Sequence, residues 1–259
     1  MKIFSKELLI EELRAIRDKG WTLSQRKGNH GAIGNTLEDL LGIEENNLPL
    51  PNAAEWELKT TNKHANSLIT LFHMEPSPRA MRFVPSVLLP FYGWPHKEAG
   101  KRYGSEEKSF RQTIRTTLTS DRGFSVYVDY NNLRVEVTFN IDRVDQKHRA
   151  WLDGIINSNN KVLEHRPYWG FDDIYHKLGA KLHNCFFILA SEKREDGNIY
   201  FLYDEIYMLK NLSREKFIQA IEQGLIYIDF DARTGHNHGT KFRIREKDIY
   251  NLYEDVIQL

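Results

Sequence analysis

The chain is 259 residues long, carries 36 Lys and Arg against 36 Asp and Glu, and is 41% hydrophobic with 12% aromatics. That length fits one large domain or two small ones, and the apolar share is enough for a buried core, which excludes wholesale disorder. A net charge of zero excludes a histone-like binder that is basic throughout, but not a local basic groove, because binding depends on where the charge sits.

The single cysteine, Cys185, excludes an internal disulfide framework and a cysteine-rich zinc site. It lies in an apolar run and reads as a packed core thiol. The first residues show no signal-peptide apolar run, and no segment approaches about 18 uninterrupted apolar residues. The expectation is a protein of a reducing cytoplasm with no membrane partner.

In chain order, residues 5–18 predict a helix, with Ser5 as its start, Leu8, Leu9, Leu13 and Ile16 at helical spacing, and Gly20 as its stop. Residues 26–35 read as a glycine-rich loop. Thr36 then caps a short helix carrying Leu37, Leu40 and Leu41 and closed by Gly42. A loop follows over 43–52, then strands over 55–60 and 67–73, then an irregular, proline-punctuated stretch over 76–105. Residues 124–130 and 133–141 alternate as a hairpin about Asn131 and Asn132. A helix is predicted over 172–182, a strand over 184–190 continuing through 199–209, a helix capped by Ser213 over 213–223, and strands over 225–233 and 240–245. With no linker or repeat between them, these elements read as one α/β unit, 1–259, with two lobes.

Four constellations could carry chemistry. In Glu55-Trp-Glu57-Leu-Lys59 the side chains alternate, so Glu57 and Lys59 share one face while Trp56 and Leu58 share the other. A carboxylate beside an ammonium suits metal-dependent phosphodiester hydrolysis: carboxylates hold Mg²⁺ through oxygen, and the lysine orients water or stabilises developing negative charge. The same spacing also describes a solvated strand face with a surface ion pair. Residues 28–38 hold glycines that resemble a phosphate cradle, but Asn35-Thr36 follows where a nucleotide loop needs Gly-Lys-Ser/Thr. Glu38 on the first turn of the next helix either meets the helix dipole or completes a metal site, if that helix abuts the 55–60 strand.

In the third constellation Asp229, Asp231 and Arg233 alternate with Ile228, Phe230 and Ala232, and Lys241, Arg243 and Arg245 alternate with Phe242 and Ile244. His236, Asn237 and His238 lie in the connection. Such a ribbon fits a DNA major groove, where Arg donates to guanine and Asp accepts from cytosine. An ordinary amphipathic hairpin is the alternative. The adjacent His-Asn-His is neither the nuclease motif of those letters, which is spread over a ββα unit, nor a zinc site. The fourth is residues 79–122, with nine Lys and Arg, among them Arg79, Arg82, Lys101 and Arg102, against four acids. With Tyr92, Trp94 and Tyr103 interleaved, this reads as a DNA-backbone clamp or as a solvated loop.

The runs Gly28-Asn-His-Gly-Ala-Ile-Gly-Asn-Thr-Leu-Glu38, Glu44-Glu-Asn-Asn-Leu48 and Glu55-Trp-Glu57-Leu-Lys59 resemble the MvaI/BcnI group of type II restriction endonucleases. Leu68-Ile-Thr-Leu-Phe-His73, Tyr168-Trp-Gly-Phe-Asp172 and His236-Asn-His-Gly-Thr-Lys-Phe-Arg243 extend the resemblance in family order over most of the chain, closer to BcnI than to MvaI. The group is related to the MutH repair nickase. The resemblance implies a PD-(D/E)xK nuclease core, a mixed central sheet flanked by helices, with a recognition lobe. The catalytic lobe would centre on 20–75 and the recognition elements on 79–122 and 226–245.

The resemblance further implies a monomer that hydrolyses double-stranded DNA with Mg²⁺ (Ca²⁺ or Mn²⁺ as substitutes) at a short G/C-rich, nearly palindromic site of the CCSGG kind, with a cognate DNA methyltransferase implied functionally. Position by position, Glu57 and Lys59 match the core motif, Glu38 the helical acid, and Asp229, Asp231, Arg233, His236, His238 and Arg243 the base-recognition region. His73 matches a histidine that probes the central base pair. The first core acid falls at Asn52, a neutral and poorer ligand for a hard cation, with Glu55 or Glu38 able to compensate. Asn52 also opens two other readings: a DNA binder that does not cut, whether a natural relative or an Asp-to-Asn variant. A MutH-like nickase is a further rival.

Overall fold

In the computed structural model, residues 4–26, 31–43, 55–63 and 66–259 are described. Asn52, the glycine-rich residues 27–30 and the Glu44–Leu48 motif lie outside them. The chain divides into two units, one comprising Met1–Ile69, Tyr175–Lys216 and Glu246–Leu259, the other Thr70–Ile174 and Phe217–Arg245. Among the described residues no helix is long and apolar enough to cross a membrane.

The first unit is built on a mixed five-stranded sheet. Strand Trp56–Asn62 runs parallel to Asn184–Glu195, which pairs antiparallel with Asn198–Leu212. Thr22–Leu23 and Tyr253–Gln258 line the other edge of that last strand. The helix Lys6–Lys19 starts where the sequence predicts, with Ser5 Oγ accepting from Leu8 N at 3.2 Å and Gly20 ending it. Its Leu9, Leu13 and Ile16 join Leu37, Leu41, Trp56, Leu58, Phe186 and Ile188 in one core. Trp56 and Leu58 thus face inward, as their parity requires, and Glu57 and Lys59 are left for the opposite face of the sheet.

The second helix spans Ala32–Leu41, four residues earlier than the capped start expected at Thr36. Thr36 does not cap: it is buried inside the helix with its hydroxyl 3.0 Å from Ser24 Oγ, and Gly31 takes the N-cap position with no side-chain hydrogen bond. Glu38 therefore sits in the second half of the helix, not on its first turn, so the dipole reading of this residue fails. The helix does pack against strand Trp56–Asn62.

The second unit holds a six-stranded sheet in the order Ile69–His73, Lys241–Ile244, Ile226–Arg233, Lys108–Ile114 and Trp94–Pro95, with His236–Asn237 paired to Ile226–Arg233. A three-stranded sheet of Arg122–Asp129, Arg134–Val144 and Tyr168–Gly170 accompanies it. The expected hairpin about Asn131 and Asn132 is present, and Asp129 Oδ1 accepts both turn N–H groups at 3.1 Å. The stretch expected to be irregular over 76–105 contains short helical turns at Arg79–Met81, Val84–Leu88 and Leu89–Tyr92.

Aromatic rings run through this unit's core: Phe72 stacks on Phe242 at 4.7 Å, Phe242 meets Trp169 at 5.2 Å, and Phe110 meets Phe230 at 5.5 Å and Phe124 at 5.4 Å. Much of the chain's aromatic content is spent here. Because Phe110 is fully buried among three other rings, Phe110→Ala should cost about 3–5 kcal/mol, read as a lowered midpoint in urea unfolding.

Candidate functional site

Two sites emerge, one in each unit. In the first, Glu57 is only 2% exposed, which rules out the solvated strand face that its spacing also allowed. Its Oε1 lies 2.7 Å from Lys59 Nζ, two residues on along the strand, and 3.6 Å from Lys181 Nζ, on the last turn of the helix Phe171–Lys181. Its Oε2 is buried and has no hydrogen-bond partner among the described residues. A buried carboxylate oxygen left unpaired is costly, so this oxygen is built to meet something.

The floor of the site is apolar and protonated. Glu57 is in register with Cys185 on the parallel strand. Burial pushes the Cys185 thiol up to about 12, so it is a neutral core group and not a nucleophile. Tyr253 is likewise raised, chiefly by burial with the nearby Glu57 carboxylate adding to it, and donates to Leu182 O at 3.0 Å. Neither residue competes with the ammonium groups for Glu57.

Magnesium fits this donor set. It binds through one or two carboxylates, keeps several waters and takes the rest of its shell from substrate phosphate. One unpaired, buried carboxylate oxygen meets that demand, although among the described residues no three His, Cys, Asp or Glu side chains cluster as a metal cage. Glu55 is exposed in the turn before the strand, on the parity of Glu57, and Glu38 is half-buried on the adjoining helix.

The second site is the polar face of the six-stranded sheet. Burial alternates strictly along Ile226–Arg233 and Lys241–Ile244, with Asp229, Asp231, Arg233, Lys241 and Arg243 all on the half-open side. The two strands pair as expected, Tyr227 opposite Arg243 and Asp229 opposite Lys241. The expected two-stranded ribbon is corrected in one respect: Ile226–Arg233 is an interior strand. Its other neighbour is Lys108–Ile114, in register Asp231 to Arg111 and Asp229 to Thr113. The clamp predicted over 79–122 is therefore partly a strand. A count of charge over 79–122 passes over this strand, whose signal is Arg111, Thr113 and Arg115 at every second position, with Phe110 and Ile114 buried.

That third strand supplies the partners. Asp231 takes Arg111 Nε at 2.6 Å and Lys241 Nζ at 3.3 Å, one from each neighbouring strand. Burial opposes its charge, but the Arg111 hydrogen bond and the two positive charges prevail, and its pKa lies below the usual carboxylate value. Asp229 accepts from Thr113 Oγ1 at 2.9 Å and Arg243 at 3.2 Å. Arg233 pairs with Glu107 at 3.0 Å and lies over the Tyr103 ring. The charges thus form a lattice in which Arg111, Arg233 and Arg243 are each paired with a carboxylate, which holds their guanidinium planes in place.

At one end of this face His236, Asn237 and His238 are exposed, the two rings 4.2 Å apart and perpendicular. His73 is close by: a side chain on Gly239 would come within 3.4 Å of it. Arg79, Arg82, Lys101 and Arg102 are exposed in the same unit, Arg79 near Asp173 at 3.8 Å and Arg102 over Tyr103.

The model of the MvaI/BcnI restriction endonuclease family matches residues 10–253. Among solved structures, a complex of restriction endonuclease MvaI with its cognate DNA substrate is 27% identical, with a TM-score of 0.78, covering 98% of this chain and 99% of that one. MvaI in the absence of DNA is 26% identical at a TM-score of 0.56, covering 100% and 99%. A search of curated proteins returned no match.

Proposed function

The chain belongs to the MvaI/BcnI restriction endonuclease family, with the mixed α/β fold of a restriction endonuclease, and on that premise we propose that it cuts double-stranded DNA with Mg²⁺ at a short G/C-rich, nearly palindromic site of the CCSGG kind. The observation that carries the chemistry is the buried Glu57, with one oxygen held by Lys59 and Lys181 and the other unpaired.

Glu57 would hold the metal, with Asn52 or Glu55 as further ligand. Mg²⁺ there supplies polarisation of the scissile phosphate and a more acidic water. Lys59, fixed by its ion pair, points one ammonium at the same place and can orient water or offset negative charge building on the phosphate. Lys181 holds a second ammonium against Glu57 and keeps its Oε1 engaged, so that Oε2 is the oxygen left to bind. The apolar floor of Cys185 and Tyr253 strengthens each of these interactions by excluding water.

Reading is assigned to the other unit. Asp229, Asp231, Arg233, Lys241 and Arg243 present a mixed acid and base face, which suits G·C pairs better than a purely basic one. His73, His236, Asn237 and His238 would read bases or their edges beside it. Arg79, Arg82, Lys101 and Arg102 would grip phosphates. The proposed protein acts as a monomer in the cytoplasm, beside a methyltransferase that protects the host's copies of the site.

A second reading rests on one residue. Asn52 in place of a carboxylate favours a relative that binds its site without cutting it. Digestion of a sequenced plasmid with Mg²⁺, with mapping of the ends, tests both. Double-strand cuts at one recurring sequence are expected. Retention of that sequence on a filter without cuts would leave the binding reading, and single-strand nicks would favour a MutH-like activity.

A further inference from the structure

The His236–Thr240 connection is tied to a second segment, residues 73–75, by one carboxylate. Glu75 Oε1 accepts from Thr240 N at 2.9 Å, from Thr240 Oγ1 at 3.5 Å and from Asn237 Nδ2 at 3.4 Å. The other side of the joint is backbone: Met74 N donates to Thr240 O at 2.9 Å. Thr240 is fully buried, so its N–H needs an acceptor, and a lost partner would leave a costly orphan. Asn237 passes the constraint along the loop, its Oδ1 accepting from Gly239 N at 3.0 Å. Trp169 Nε1, buried, fixes Met74 O at 3.0 Å, so residues 73–75 are themselves held.

Glu75 is half-buried, and its carboxylate accepts from Asn237 and Thr240 of the loop that carries the exposed His236 and His238. It is two residues from His73, and its acceptor oxygen reaches the loop that carries His236 and His238. We propose that Glu75 is the positioning residue of this corner: its side-chain oxygen sets the placement of His73 relative to His236 and His238, and so fixes the base preference those three confer, without touching DNA. The proposal rests on the reading of these histidines as base contacts.

The test is selection of duplexes from a random pool in EDTA, where no divalent cation is present to support cutting, for the intact chain and its variants. His73→Ala, His236→Ala and His238→Ala identify the positions these residues read. Glu75→Ala, and the milder Glu75→Asp, which keeps the charge but shortens its reach, should flatten preference at those same positions by about tenfold or more, the scale of a lost base contact. They should leave the other positions alone. Glu75→Gln keeps an oxygen acceptor for Thr240 and should stay within about threefold of the parent at every position, a smaller change than the loss of a net hydrogen bond. Combining Glu75→Ala with His73→Ala should add little to either, as coupled residues do. Preference unchanged in Glu75→Asp, equal flattening at every position, or a Glu75→Gln loss as large as that of Glu75→Ala would each overturn the proposal. A parent chain with no base preference at all would instead bring down the functional reading on which it rests.

Discussion

Glu57→Gln should reduce DNA cleavage by about 10²–10³-fold or more while leaving duplex binding within a few-fold of the parent, and Lys59→Ala should do the same. The magnitude follows from the loss of one preorganised group aimed at developing charge in a site closed to water. The glutamine is the informative variant. Both variants remove the counter-charge of Lys59 and Lys181, but the amide keeps the shape of the buried side chain and one acceptor for Lys59, whereas Glu57→Ala removes these too and moves toward the full cost of a broken buried pair, about 3–5 kcal/mol. Single-turnover cleavage, a gel-shift titration and a melting curve on the same preparations separate loss of chemistry from loss of fold. Cutting that survives both substitutions would remove Glu57 and Lys59 from the reaction.

How much of this site the sequence carried depends on how local each contact is. The pairing of Glu57 with Lys59 follows from strand parity alone. Its burial does not, because Cys185 and Tyr253 come from 128 and 196 positions further along. Nor does Lys181, which reaches Glu57 only because the helix before the parallel strand ends over it. The same division holds in the other unit. The alternation of Asp229, Asp231 and Arg233 was legible, but their partners Arg111 and Thr113 sit on a strand whose charges masked its period. The helix Arg149–Asn157 carries an internal glycine and no side-chain cap, and the edge strand Tyr253–Gln258 is exposed over five of its six residues. Neither leaves a pattern, since their stability comes from packing and pairing remote in sequence.

Asn52→Asp should raise the cleavage rate at limiting Mg²⁺ by about 10- to 10³-fold. The argument is one of charge. Among the described groups, two ammonium ions share Oε1 of the one carboxylate at Glu57 and Oε2 alone is left for a cation, so one more negative charge beside it should tighten the hold on Mg²⁺. The resemblance to the family puts Asn52 at the first acid of the core motif, five residues before Glu57, where an amide supplies a carbonyl oxygen but no charge. One added carboxylate within about 4 Å of a cation is worth about 1–4 kcal/mol between water and a protein surface, and each 1.4 kcal/mol is about tenfold in rate. A Mg²⁺ titration of single-turnover cleavage reads this directly: the half-saturating concentration should fall, and the gain should shrink as Mg²⁺ saturates if the defect is one of affinity. A gain that persists at saturation would mean that the amide also misplaces the attacking water. No gain at any concentration would mean that position 52 does not ligate metal in this chain, and the search for the second oxygen would pass to Glu55, which shares the parity of Glu57, and to Glu38 on the helix packed against its strand. Asn52→Asp combined with Glu57→Gln should be as inactive as Glu57→Gln alone, because a second ligand cannot act where the first is missing.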